Sequence, residues 1–241
     1  MKKTFATILL ISMLMCMTAC TASSSTTPGM TSATSGGSNK VENPTAPEIP
    51  SGNSTVITEA MLRSMPENPA SDFTYANSLN VNGGLRIDSY TGSSDIVVIP
   101  EEIDGKPVVE IAVYTFATTY SDECKGRGVV IPKTVKSVKE LFVNNDNLEI
   151  VIAEGLEEVG YLTFGNCFNV REIILGEDVT RLGEFAFGAC TALERVYISS
   201  DDTEEIHEWA FFGSENVTIY GKSGSDIETF ANEQGIPFEV E

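Results

Sequence analysis

The residues that could do chemistry are few. The chain holds one histidine, His207, between Ile206 and Glu208. Side-chain catalysis needs a nucleophile, a base and an orienting group, or a metal cage. His207 has no serine elbow to serve and reads as a solvent-facing turn residue. Gly221-Lys222-Ser223-Gly224 shares the composition of a phosphate loop. It lacks the spacing that lets backbone N–H groups cradle phosphates. The run Asp201-Asp202-Thr203-Glu204-Glu205 offers the oxygens that Ca²⁺ takes. It has neither the alternating spacing nor the turn glycine of a calcium loop, and reads as a solvated acidic corner. No cysteine or histidine spacing suits a metal, and no cofactor motif is present. These residues predict a protein that is not an enzyme, with no catalytic, metal or cofactor site.

The cysteines are more informative. Lys2 and Lys3 precede an almost wholly apolar run, Phe5 to Met17, too short to span a bilayer comfortably. The pattern is that of an export signal over residues 1–19. Its ending, Met17-Thr18-Ala19-Cys20, resembles the bacterial lipobox, with Met17 where Leu is usual. That resemblance implies cleavage before Cys20 and a lipid on its sulfur. Two or more acyl chains at one residue anchor a protein stably. The expected location is extracytoplasmic, lipid-anchored to a bacterial membrane and exposed at the cell surface; ordinary secretion is the alternative. Cys124, Cys167 and Cys190 follow. Cys167 and Cys190 lie 23 residues apart, each three after a phenylalanine, Phe164 or Phe187. Buried packing of two small side chains and a disulfide are both open.

The chain carries 15 Lys and Arg against 35 Asp and Glu, a formal charge of −20. Losing Lys2 and Lys3 with the leader makes it −22. Such a chain has no electrostatic attraction for nucleic acid or anionic lipid.

The elements that position these residues follow from one pattern met five times. An apolar residue is followed five positions later by another, with a third two places before the end: Ile111–Phe116, Val138–Val143, Val159–Phe164, Leu182–Phe187 and Ile206–Phe211. A β-type run precedes each copy, ending at Ile99, Ile131, Ile152, Leu175 or Ile198, and a sixth ends at Ile219. Self-similarity at this period predicts a solenoid. Residues 20–55 are rich in Ser, Thr, Gly and Pro, which predicts a disordered tether spanning on the order of 30–35 Å. Residues 57–65 predict a short helix with Thr58 as N-cap. Phe73 to Tyr90 predicts a capping hairpin turning at Asn82-Gly83. Ser225 with Glu228 and then Gly235 predict a closing helix over 225–234. Domains are thus expected at 1–19, 20–55, 56–94 (helix and hairpin), 95–221 (repeats) and 222–241 (cap).

Cys190-x-x-Leu193-x-x-Val196-x-Ile198 after Ala186-Phe187, the corners Ile99-Pro100 and Ile131-Pro132, and the segments Ile103–Val108 and Ile219–Phe238 resemble the BspA-like leucine-rich repeat family. The resemblance covers residues 73–241; Leu141-Phe142-Val143 and an insertion around Tyr120–Arg127 depart from it. It implies a mainly β, right-handed leucine-rich-repeat solenoid of short parallel strands, about five and a half turns. It also implies a surface or secreted protein engaged in adhesion, and brings no catalytic residues.

Two rows of side chains are expected on its surface. Alternation in a strand places Val98, Val130, Val151, Ile174, Tyr197 and Thr218 outward, as a contact face or as a row covered by the tether or cap. A second row is Tyr114, Leu141, Leu162, Phe185 and Trp209, either a stacking surface or padding between turns. Val151, Ile174, Tyr197, Phe185 and Trp209 are the candidate binding residues. The expected function is a non-catalytic surface lipoprotein whose repeat face meets a protein or glycan. A glycan-active enzyme and a ligand-free envelope protein are the alternatives.

Overall fold

The computed structural model describes residues 56–117 and 126–241. The export signal, Cys20, the tether, Cys124 and most of the insertion lie outside the described residues.

The first element is a short helix, α1 (Glu59–Ser64), whose N-cap Thr58 accepts a hydrogen bond from the Met61 N–H. A hairpin follows, β1 (Phe73–Asn77) antiparallel to β2 (Leu85–Tyr90). The loop over residues 78–84 is longer than the tight primed turn expected at Asn82-Gly83. Of that pair only Gly83 has positive φ, at 82°, whereas the primed turn needs both. β4 (Glu102–Ile103) and β5 (Lys106–Ile111) complete a four-stranded cap in the order β1-β2-β5-β4.

The repeats form two parallel stacks. The larger runs from β3 (Ile96–Val98) through β6 (Gly128–Val130), β8 (Ile150–Ala153), β10 (Glu172–Leu175), β12 (Arg195–Ile198) and β14 (Thr218–Gly221) to β15 (Phe238–Val240). The smaller stacks β7 (Ser137–Val138), β9 (Glu158–Val159), β11 (Arg181–Leu182) and β13 (Glu205–Ile206). The described residues thus form a mainly β, parallel-strand solenoid of about six turns. Helix α2 (Asp226–Gln234) closes the far end, capped by the Ser225 hydroxyl and ended by left-handed Gly235.

The register corrects the expected rows. Val151 pairs with Ile173, and Ile173 with Val196, so Val151 faces inward and is fully buried. Likewise Val196 pairs with Ile219, which leaves Tyr220, not Thr218, beside Tyr197. The true outer row is Val98, Val130, Ile152, Ile174, Tyr197 and Tyr220. The runs therefore end at Ala153 and Gly221 where Ile152 and Ile219 were expected. A side chain at 221 would meet the Ile198 carbonyl at 2.8 Å, and the Phe238 and Ile227 side chains, at 3.3 and 3.4 Å, fill the space instead.

Inside, one phenylalanine per turn stacks on the next. Phe116, Phe142, Phe164 and Phe187 follow at 5.4, 5.3 and 5.5 Å, with Phe211 4.5 Å beyond. The second copy is one residue short, so Phe142 and not Val143 takes the ring position. Tyr90 at 6.1 Å begins this column and Phe230 of α2 at 6.2 Å ends it. Offset-stacked rings add roughly 0.5–1.5 kcal/mol a pair beyond their buried area.

Three residues after each of Phe142, Phe164, Phe187 and Phe211 sits a buried donor. The Asn145 amide, the Cys167 and Cys190 thiols and the Ser214 hydroxyl donate to the carbonyls of Phe116, Phe142, Phe164 and Phe187. Cys167 and Cys190 are buried thiols not joined in a disulfide. Each adds a second hydrogen bond to a carbonyl that also accepts a backbone N–H, Asn145 on Phe142 and Cys167 on Phe164.

Candidate binding surfaces

The outer face of the large sheet is apolar because its strands carry β-branched residues on both sides. Helix α1 lies across it. Ile57 and Leu62, with Met61 and Met65 alongside, pack on Ile96, Val98, Ile150, Ile152 and Ile174. Arg63 ties the helix down through Glu59 at 2.7 Å and Glu154 at 2.6 Å. These bonds raise the arginine pKa, and the Arg63 hydrogen bond leads the causes that lower that of Glu154. Asn68 then closes the edge of β3, its N–H donating to the Val98 carbonyl and its side chain accepting the Val98 N–H. Ile174 is consequently only 7% exposed. The outer row is thus, at Val98, Val130, Ile152 and Ile174, the seat of the chain's own N-terminal helix.

The row emerges at its far end. The rings of Tyr197 and Tyr220 stack 4.8 Å apart and 23° from parallel, both half-buried. Burial is the leading cause that raises the Tyr197 pKa. Between α1 and Tyr197 lies a groove of about 660 Å³, floored by Ile174 and Tyr197 and rimmed by Glu177, Asp178, Ser199 and Glu241. Neighbouring charges are already matched: Glu149 holds Arg127 and Arg171, and Arg195 meets Glu172 at 2.8 Å.

The second expected row also shifts. Leu141 is fully buried, and Glu140 takes its place, because the second copy is a residue short. Tyr114, Glu140, Leu162 and Phe185 share a left-handed backbone, with φ of 63°, 48°, 49° and 53°. The Tyr114 hydroxyl donates to Glu140 at 2.6 Å. Phe185 is buried and Trp209, 41% exposed, stacks on it at 5.7 Å. Tyr161, beside this row and also exposed, was not legible as part of it.

The residues weighed for chemistry are engaged elsewhere. His207 Nδ1 accepts the Trp209 N–H at 3.2 Å. Asp201 pairs with Lys222 and Glu205 with Arg181. Gly224 N–H donates to Glu228 at the start of α2. Among the described residues no group of three His, Cys, Asp or Glu side chains converges as a metal site. No described helix is long and apolar enough to cross a membrane.

These stacked parallel strands with an aromatic column define a repeat protein of the leucine-rich type. A profile of the BspA type leucine rich repeat region, in six copies, matches residues 109–234, and the chain belongs to that family. It is similar in structure to the Treponema pallidum leucine-rich repeat protein, at 22% identity over 72% of this chain and 98% of that one, TM-score 0.40. It is also similar to a leucine-rich repeat protein of Bacteroides ovatus, at 21% identity over 62% of this chain and 45% of that one, TM-score 0.42. A leucine rich cell surface protein of Faecalibacterium prausnitzii matches at 16% identity over 68% of this chain and 56% of that one, TM-score 0.42. The chain thus spans about half the length of the last two. No curated protein matches it.

Proposed function

We propose that this repeat protein is a non-catalytic recognition module at a bacterial cell surface, lipid-anchored through Cys20, that meets a protein or glycan at the open end of its large sheet. The observation that supports the reading is the stacked, half-buried pair Tyr197 and Tyr220 beyond the seat of α1, with Tyr197 lining the groove. Partly exposed aromatic residues beside a concavity supply contact area at little entropic cost, and tyrosine is enriched among residues that dominate interfaces. Anchoring rests on the leader and on Thr18-Ala19-Cys20.

Screening the protein against extracellular-matrix proteins and surface glycans tests the reading. Tyr197→Ala with Tyr220→Ala should weaken a captured ligand at least tenfold, which is about 1.4 kcal/mol, with circular dichroism unchanged. Unchanged affinity would move recognition off this face. Cys20→Ala should release the protein from the membrane fraction; retention would remove the anchor.

A further inference from the structure

The aromatic column and the row beside it end differently, and the difference leaves a site. Phe211 of the last turn is covered by Phe230 of α2. Trp209, two residues earlier, rests one face on Phe185 of the preceding turn and has His207 at its edge. Among the described residues α2, and not another repeat, follows the last turn. Between the last turn and the end of α2 a cavity of about 380 Å³ remains, walled by Trp209, Phe211, Phe212, Phe230, Ile236 and Pro237. That is at the small end of ligand cavities, roughly 300–1,000 Å³.

The cavity's charge selects the occupant. Its charged lining residues are Glu208 and Glu215, with no lysine or arginine among them. Gln234 and Gly235, the C-terminal end of α2, also line it. A helix C-terminus carries partial negative charge, and the last turn of α2 has no basic residue to offset it. The partly exposed Trp209 indole, the Glu215 carboxylate and the helix C-terminus all favour a cation, and the aromatic walls favour an apolar stem. We infer that this cavity is a binding site for an arginine or lysine side chain presented by a cationic peptide segment of a partner. It is separate from the Tyr197–Tyr220 face and does not depend on it.

Trp209 is the one tryptophan of the chain, so tryptophan emission reports on this site alone. The full chain is titrated at mildly alkaline pH with acetyl-Gly-Arg-Gly-amide and with the same peptide carrying citrulline, a neutral isostere of arginine. A saturable change in emission is expected with arginine, at least tenfold weaker with citrulline. Glu215→Gln should weaken the arginine peptide threefold or more, and Glu215→Lys should abolish its effect. Tyr197→Ala with Tyr220→Ala should leave it unchanged, which separates this site from the sheet face. The inference is overturned by an equal response to citrulline, by a linear response indifferent to Glu215→Gln, or by no response. A saturable response to chito-oligosaccharides without one to arginine would also overturn it and make the cavity a glycan site.

Discussion

Phe211 and Phe230 face each other at 6.2 Å across the junction between the last turn and helix α2. The contact joins the cap to a column of rings that runs back through every turn to Tyr90. Neighbour-to-neighbour packing of this kind makes stability a chain of local interfaces. Phe187 touches rings on both sides, at 5.5 Å and 4.5 Å. Phe187→Ala should therefore cost about 3–5 kcal/mol, read as a lower denaturant midpoint. An unchanged midpoint would mean that the column carries little of the stability.

The thiols make a sharper test, since their role is hydrogen bonding. Cys190 donates to the Phe164 carbonyl at 2.9 Å, as Ser214 donates to that of Phe187 one turn on. Cys190→Ser keeps the donor and should cost little. Cys190→Val keeps the bulk but removes the thiol's bond, leaving the Phe164 carbonyl with the Cys167 N–H alone at 3.2 Å, and should cost roughly 0.5–1.5 kcal/mol. Equal midpoints for the two variants would reduce the thiol to a space filler.

Burial pushes the Cys190 thiol from 9.0 up to about 12. The unfolded chain loses that proton first, so this contribution is full below pH 9 and is lost as pH rises towards about 12. Stability should fall through that window, less steeply in Cys190→Ala. Native protein should resist iodoacetamide at Cys190, and fast labelling would contradict the burial.

Ala189 sits at φ 56°, in a row with Asn144 and Asn166 that ends at Gly213. A left-handed alanine is strained where glycine is not. Ala189→Gly should raise stability, by about 0.5–1 kcal/mol. A loss measured in thermal unfolding would show that the methyl group packs for more than its strain.

Leu62 anchors α1 on the large sheet and is 1% exposed. Leu62→Asp should lift the helix and bare Ile152 and Ile174, while the ring column stays packed. Binding of an apolar dye such as ANS should rise, with little change in β circular dichroism. Unfolding of the whole solenoid would instead make α1 part of the core.

The repeat, its period and its two closing elements were legible in the sequence, because each turn is a local unit that must bury the same residue types at the same spacing. Phe116, Phe164, Phe187 and Phe211 announced themselves in this way, as did Cys167 and Cys190 at matching positions, whereas Phe142 was hidden because its copy is a residue short. The sheet register was not legible. A parallel strand covered on both faces reads as a continuous apolar run, so Ile150-Val151-Ile152 gives no sign of which member faces in. Only pairing with Ile173 turned Val151 to the core and Ile152 outward. Nor could the sequence show that α1 would cover the outer row, since that contact joins Leu62 to Ile152 and Ile174 across some 90 to 110 residues of chain. The partly open surfaces left over, Tyr197 with Tyr220 and the exposed part of Trp209, exist because the short α1 seats on the earlier strands and Phe230 of α2 packs on Phe211. Those are matters of length and packing in space, which tertiary structure alone decided.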